Sequence, residues 1–394
     1  MNIAALENGD FFVNDPQWAI DFAPNGTRVV EGDLLTRKRY ANTLEIIANH
    51  GSKGFYEGDI AKYNVAAIQA ANGTMTLEDM QNYKVSIRNT LSITYRGYKL
   101  FSSGAPSGGS VALSILKIIE SYNMSDPNSV ELNTHRFDEA MRFSYAARAE
   151  LGDPDFFSYM DKFEEQMLKE KTASAIRERI SDDRTHEPSY YSPTHYMLPE
   201  NHGTSHIVAT DKSGLSITLT STVNLLFGSQ LIVPETGVVM NNEMNDFSIP
   251  GVSNEFGFVP SPINFIRPFK RPLSSCSPVI VEHPNGTMYL TIGAAGGSRI
   301  ITATAQSIMH VLDHGHTLPQ ALDERRIHDQ LLPNISTVEL GFDKKVVESL
   351  QQKGHNMTWV SGFFSSVQGV RRLGNGTFEA AGEPRQKNSG GLAC

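Results

Sequence analysis

A run of alternating residues constrains this chain more than any other feature in it. Leu215, Ile217 and Leu219 alternate with Ser216, Thr218 and Thr220, the period of two that a half-buried strand imposes. Asp211, Ser213 and Gly214 stand before them. Short polar side chains bond their own backbone and glycine accepts positive φ, so these residues make a turn. The run therefore folds back as a hairpin. With residues 211–214 as the loop, residues 209–210 lie beside 215–216, and Thr204 falls opposite Ser221 to within one residue. Thr204, Thr222 and Asn224 then gather at one end of the ribbon, a polar cluster that a purely structural hairpin does not require.

Thr204 adds a chemical possibility. A threonine hydroxyl is a weak nucleophile without a base beside it, and an N-terminal threonine carries that base as its own α-amine. Such an amine ordinarily titrates near ~8. Breaking the Gly203–Thr204 bond would create this arrangement. Taken alone, Gly-Thr is too common to carry this claim, and the junction reads as a strand start after a flexible glycine.

Five motifs widen the view: TSHIVATD, TSTVNLLFG, VVMNNEMNDFS, RPLSSCSP and GAAGGSRI. In order and spacing they resemble the small subunit of γ-glutamyltransferases (glutathione hydrolases), and NEFGFVPSPINFI and RRIHDQLLPNIST lean to the eukaryotic type. FYEGDIA, LEDMQNYKV, YRGYKL, PSGGS, RFSYAARAELGDP and AAGEPR extend the resemblance over nearly the whole chain.

The resemblance implies an α+β fold of the N-terminal-nucleophile hydrolase type, an αββα sandwich incomplete at the N-terminus. Residues 1–203 would be the later part of a large subunit and 204–394 the small one, together one intertwined domain. Cleavage between Gly203 and Thr204 would expose Thr204 as nucleophile, tuned by Thr222. Asn224, Glu243 and Asp246 would surround the substrate α-ammonium, and Ser274 and Ser275 would donate to its α-carboxylate. Thr222 would also contact the substrate. Gly296 and Gly297 would offer backbone amides to the oxyanion, Gly297 touching substrate as well. Without the resemblance, the two acids read as a surface loop, the serine pair as structural and the glycines as a tight strand-to-helix turn. The reaction implied is two-step acyl transfer through a γ-glutamyl ester on Thr204, with glutathione, γ-glutamyl conjugates and amino-acid or dipeptide acceptors as substrates. It calls for no metal or organic cofactor. A catalytically silent fragment or glycoprotein of the same fold, and a related acylase, are the competing readings.

Bulk properties set outer limits. The net charge of −9 and the lack of any Lys/Arg-rich run speak against nucleic acid as a partner. The longest apolar run, residues 111–119, is broken by Ser114 and Lys117 and is too short to span a bilayer. Cys276 and Cys394 read as free thiols. Sequons begin at Asn25, Asn72, Asn123, Asn285, Asn334, Asn356 and Asn375, which favours the secretory route, an extracellular face or a vacuole-like lumen. The first twenty residues have no signal-peptide pattern. Against the family, the chain begins well inside the large subunit, so a signal or anchor and a carboxylate-gripping arginine are expected to be missing.

Along the chain, helices are predicted over 34–49, after the Thr76–Asp79 cap, and over 111–121, 135–151, 162–179, 302–312 and 343–353, with another opened by Pro319. Residues 92–100 read as a strand. Strand pairs are expected about Asn285-Gly286 and Gly374–Gly376, and residues 247–270 as a rim or lid. Ser107–Gly109 admits two readings, an anion-binding turn or a plain loop. His202 and His206 read as local hydrogen-bonders.

Overall fold

A computed structural model describes residues 10–192, 194, 196–197, 203–251, 259–360, 365–387 and 389–393. His202 and Cys394 lie outside them, as does the middle of the 247–270 loop. The chain divides into two compact units. One runs to Ile87 and includes Leu225–Asn242; the other comprises Arg88–Asn224 and Glu243–Cys394.

The smaller unit is helical. Asp15 caps the Pro16–Phe22 helix by accepting from Gln17 N–H at 2.7 Å, and Phe12, Trp18, Phe22 and Ile232 form an aromatic core. The expected 34–49 helix is Lys38–His50. Leu35, Tyr40, Leu44 and Ile47 recur at helical spacing, yet this stripe is not core: Leu44 is exposed and Thr43 is the buried residue. Thr76 and Asp79 form a reciprocal capping box before Leu77–Asn82, as their spacing requires.

The larger unit is built on one antiparallel six-stranded sheet. Its strands, from edge to edge, are Thr90–Tyr95, Tyr98–Ser103, Val279–Glu282, Met288–Ala295, Ser366–Arg372 and Phe378–Ala381. What reads in sequence as one strand over 92–100 is a hairpin. Arg96 and Gly97 both take positive φ, the twist-matched turn that joins antiparallel strands in two residues. Leu290, Ile292 and Ala294 join a continuous apolar core with the Gly109–Ile119 and Arg299–Leu312 helices. The Val130–Arg148 helix packs on the first of these and is buried nearly all round, polar positions included. The expected 162–179 helix is two, Met160–Met167 and Glu170–Arg177. A three-stranded sheet of Ile327–His328, Ser336–Glu339 and Met357–Val360 was not foreseen. Strands of two to four residues are too short for periodicity to register.

On the Gly293 side of the central sheet lies a separate two-stranded ribbon, Thr204–Thr210 with Ser216–Thr222. A Cβ on Gly293 would sit 2.3 Å from the His206 ring, so only glycine admits that side chain. Thr218 Oγ1 also donates to Ile292 C=O at 3.3 Å. Helices, a sheet and a second sheet are thus layered in that order.

Candidate active site

The ribbon pairs Thr204 with Thr222 and Thr210 with Ser216. That is one residue from the central expectation and inside its stated margin. The cause lies in the turn. The Asp211 carboxylate accepts from Ser213 N–H at 2.8 Å and Leu215 N–H at 3.0 Å, which draws Leu215 out of the strand and into the loop.

At the open end, Thr222 Oγ1 donates to the carbonyl of Gly203 at 2.9 Å. Val223 N–H reaches the same oxygen at 3.4 Å. Asn224 N–H in turn donates to Thr222 Oγ1 at 2.7 Å, leaving the hydroxyl proton committed to Gly203. Asn224 is buried with φ +71°, a left-handed conformation that asparagine tolerates better than most residues. Gly203, Thr204, Thr222 and Asn224 therefore form one connected group.

A second group contains the acids. Glu243–Asp246 is a single 3-10 turn with Asp246 buried, its backbone carbonyl bonded by Asn264 Nδ2 at 2.6 Å. Burial, the Asp246 charge and a hydrogen bond between the two carboxyls push Glu243 up to about 8. Two carboxyls this close cannot both ionise cheaply. Burial, with further help from both acids, also raises the Cys276 thiol, which places the serine loop in their field. Ser275 is buried, and its Oγ accepts from Arg148 Nη2 at 2.9 Å. Ser274 Oγ accepts from Cys276 N–H at 3.2 Å.

Gly296 and Gly297 have φ of +131° and +64° and stand just before the Arg299–Leu312 helix, whose first amides have no intrahelical partner. Tyr145 Oη donates to Ser298 C=O, and Arg148 lies near the Tyr145 ring, 5.8 Å from its centroid. One helix thus supports both the glycine turn and the serine loop.

The Gamma-glutamyltranspeptidase family pattern matches residues 2–393. The chain belongs to that family. It is 50% identical to the glutathione hydrolase proenzyme of Arthroderma benhamiae, over 98% of this chain and 66% of the relative. It is 43% identical to the glutathione hydrolase of Aspergillus flavus, over 100% of this chain and 67% of the relative. The chain spans about two thirds of the length of these curated relatives. Among solved structures it is similar to cephalosporin acylase from Bacillus halodurans, with a TM-score of 0.81 and 25% identity over 96% of this chain and 66% of that one. The fold is that of the N-terminal-nucleophile hydrolases.

In this gamma-glutamyltranspeptidase-family chain, Arg148 is a residue that sequence reasoning reads as surface or structural, with no link to the serine pair. It lies 127 positions from Ser275, so no local pattern joins them. The available signal was an arginine next to the apolar stripe of Phe137, Met141, Tyr145 and Ala149. His206 is neutral, held down to about 4 by burial, with its two nitrogens on Thr220 and Thr218 at 2.9 and 3.1 Å. That is a hydrogen-bonding role within the ribbon. A cavity of about 370 Å³ opens beside Thr204 and His206, with Ala295, Ser366 and Gln368 on its far wall. Near Ser107–Gly109, the Ser107 and Gly108 amides are taken by the carbonyls of Gly104 and Cys276, which favours the plain-loop reading over an anion site.

Proposed function

We propose that this chain carries the γ-glutamyl-transfer site of its family and that Thr204 becomes its nucleophile by self-cleavage. The observation behind this reading is the Thr222 hydroxyl on the Gly203 carbonyl, directly across the ribbon from Thr204. In the uncut chain that donor polarises the carbonyl that Thr204 Oγ attacks. The C–N bond breaks, the hydroxyl proton passes to the departing Thr204 nitrogen, and an ester forms. Water then releases Gly203 as a carboxylate and leaves a free α-amine on Thr204. Residues 1–203 then belong to the large subunit, as its later part, and residues 204–394 form the small subunit of a heterodimer.

The same hydroxyl then attacks a γ-amide. Glutathione is the favoured donor because the similar fungal relatives are named glutathione hydrolases. Glu243 and Asp246 take its α-ammonium, helped by Asn224. A cation between two crowded carboxyls lets both ionise, which is the chemical use of a pair whose shared burial holds one proton. Ser274 and Ser275 donate to the α-carboxylate. Because Arg148 donates to Ser275 Oγ, the serine proton is left to point outward. Gly296 and Gly297 face the oxyanion with amides. Water completes hydrolysis, and an amino acid or dipeptide completes transfer.

A secretory or vacuolar setting accompanies this reading. Among the described residues no helix is long and apolar enough to cross a membrane. Asn334 is set apart from the other sequons, since its Oδ1 accepts from the buried Arg142 at 2.9 Å; glycans belong on exposed Asn25, Asn72, Asn123, Asn285, Asn356 and Asn375.

The test uses the full-length natural protein. N-terminal sequencing of its small fragment reads TSHIVATD, and Asp246→Ala lowers kcat/KM on a γ-glutamyl anilide by an amount equivalent to roughly 2–5 kcal/mol of transition-state binding while cleavage continues. A different fragment start, or near-normal turnover in Asp246→Ala, overturns the assignment. An acylase acting on uncharged acyl groups would show the opposite preference, since such a group offers the acids no cation.

A further inference from the structure

The far end of the Arg299–Leu312 helix carries a feature that the acyl-transfer chemistry does not use. His310 lies in its last turn, His314 follows, and Gly315 at φ +68° turns the chain so that His316 comes back over His310. His316 N–H donates to His310 C=O at 3.1 Å, and the two rings stack with 5.6 Å between centroids. His310 Nδ1 lies 3.0 Å from His314 Nδ1. One nitrogen from each ring falls within 4.8 Å of the others. Glu324 Oε1 is 3.5 Å from His316 Nδ1, a nitrogen that is buried and makes no hydrogen bond. All four side chains line one cavity of about 540 Å³ whose other walls include Met124, Phe137 and Val346.

We propose that His310, His314 and His316, with Glu324 as fourth ligand, form a binding site for a divalent cation of the zinc class. Three imidazoles and one carboxylate are a borderline donor set, suited to Zn²⁺ and poor for Mg²⁺ or Ca²⁺. Zn–N bonds of ~2.0–2.1 Å in a tetrahedron set ligand nitrogens about 3.3 Å apart, and the His310–His314 separation is already close to that. His314 is oriented as metal-ligating histidines are. Its Nε2–H donates to Met124 C=O at 3.0 Å, which leaves the Nδ1 lone pair facing the other rings. Arg325 and Asp343 also line the cavity.

One rearrangement is required. Without metal, the His310 Nδ1 proton is shared with His314; with metal it moves to Nε2, facing Gln306 Nε2 3.4 Å away. Gln306 is fixed by Ile327 N–H at 3.2 Å and Arg325 C=O at 2.9 Å, so the His310 ring shifts slightly into the cavity instead. Fourteen helical residues separate this end from the glycine turn, about 21 Å. The ion therefore braces the helix at a distance from the acyl-transfer site.

The experiment takes the full-length processed protein, strips it with a chelator, and titrates ZnCl₂ against a chromophoric competitor. One Zn²⁺ per chain is expected, with a raised Tm and no competition from millimolar Mg²⁺. His314→Ala lowers the affinity at least ~10-fold. His316→Ala, at the half-exposed edge of the site, does the same with an unchanged circular dichroism spectrum, while exposed His50→Ala leaves affinity unaltered. Substoichiometric binding, or affinity in the His314 and His316 variants equal to that of the unsubstituted protein, overturns the site and leaves a packed imidazole cluster.

Discussion

The ribbon at 204–222 and the six-stranded sheet it lies against are both antiparallel β-structure, yet they distribute their side chains in opposite ways. The sheet buries apolar residues such as Leu290, Ile292 and Val281 completely. The ribbon turns His206, Ser216, Thr218, Thr220 and Thr222 inward and leaves Ile207, Ile217 and Leu219 at 61, 56 and 50% exposure. A strand pair that only needed to be stable would do the reverse, since each buried aliphatic side chain contributes about 1.5–3 kcal/mol. The ribbon instead places hydroxyls where a backbone carbonyl and a neighbouring imidazole need them. On the proposed function its polar face carries the chemistry, and the sheet behind it supplies rigidity.

Thr222→Val tests that contrast most severely. It removes the donor from the Gly203 carbonyl, and self-cleavage of the full-length protein, followed by gel electrophoresis, should slow about 100- to 1000-fold. Unaltered cleavage would make the ribbon's polar face ornamental. Gly293→Ala attacks the seam between ribbon and sheet. The added methyl meets the His206 ring, so denaturant melts should show a loss of ~1–3 kcal/mol. Adding His206→Ala should recover most of it, a coupling that a double-mutant cycle reads directly.

Titration separates the two regions more gently. Glu243 rises from its ordinary 4.5 to about 8 when folded. It holds its proton more tightly folded than unfolded, so its contribution is complete below about pH 4.5 and is lost as pH rises through about 8. Stability of the substrate-free protein should therefore decline across that window, and Glu243→Gln should flatten the decline. Binding of a γ-glutamyl ligand near pH 7 should release a proton, visible calorimetrically in buffers of different ionisation enthalpy. Ile217→Ser on the outer face should change stability by no more than ~0.5 kcal/mol. A larger loss would show that this face is covered in solution.

The hairpin was legible because alternation and turn chemistry are local, and even its register followed to one residue. The acids at 243 and 246 were legible only through the resemblance, since two carboxylates in a loop carry no signal of their own. Arg148 with Ser275 and His206 with Gly293 join residues 127 and 87 positions apart. Tertiary folding creates such pairs, and no short window along the chain contains them; the histidines at 310, 314 and 316 do share a window, but only the turn at Gly315 brings their rings together. The 34–49 helix shows the converse failure: the period was right, but period alone does not say what covers the stripe.

The ladder that pairs Leu100 with Val281 and Phe101 with Ile280 joins chain from either side of residue 203. Once the backbone is cut there, the two pieces remain strands of one sheet, held together by its hydrogen bonds and packing. The cut is then felt only on refolding. Recovery of the uncut chain is a first-order event, whereas recovery of the cut protein depends on two molecules meeting and so on their concentration. Processing would turn a reversible fold into one that a dilute sample, once melted, does not regain.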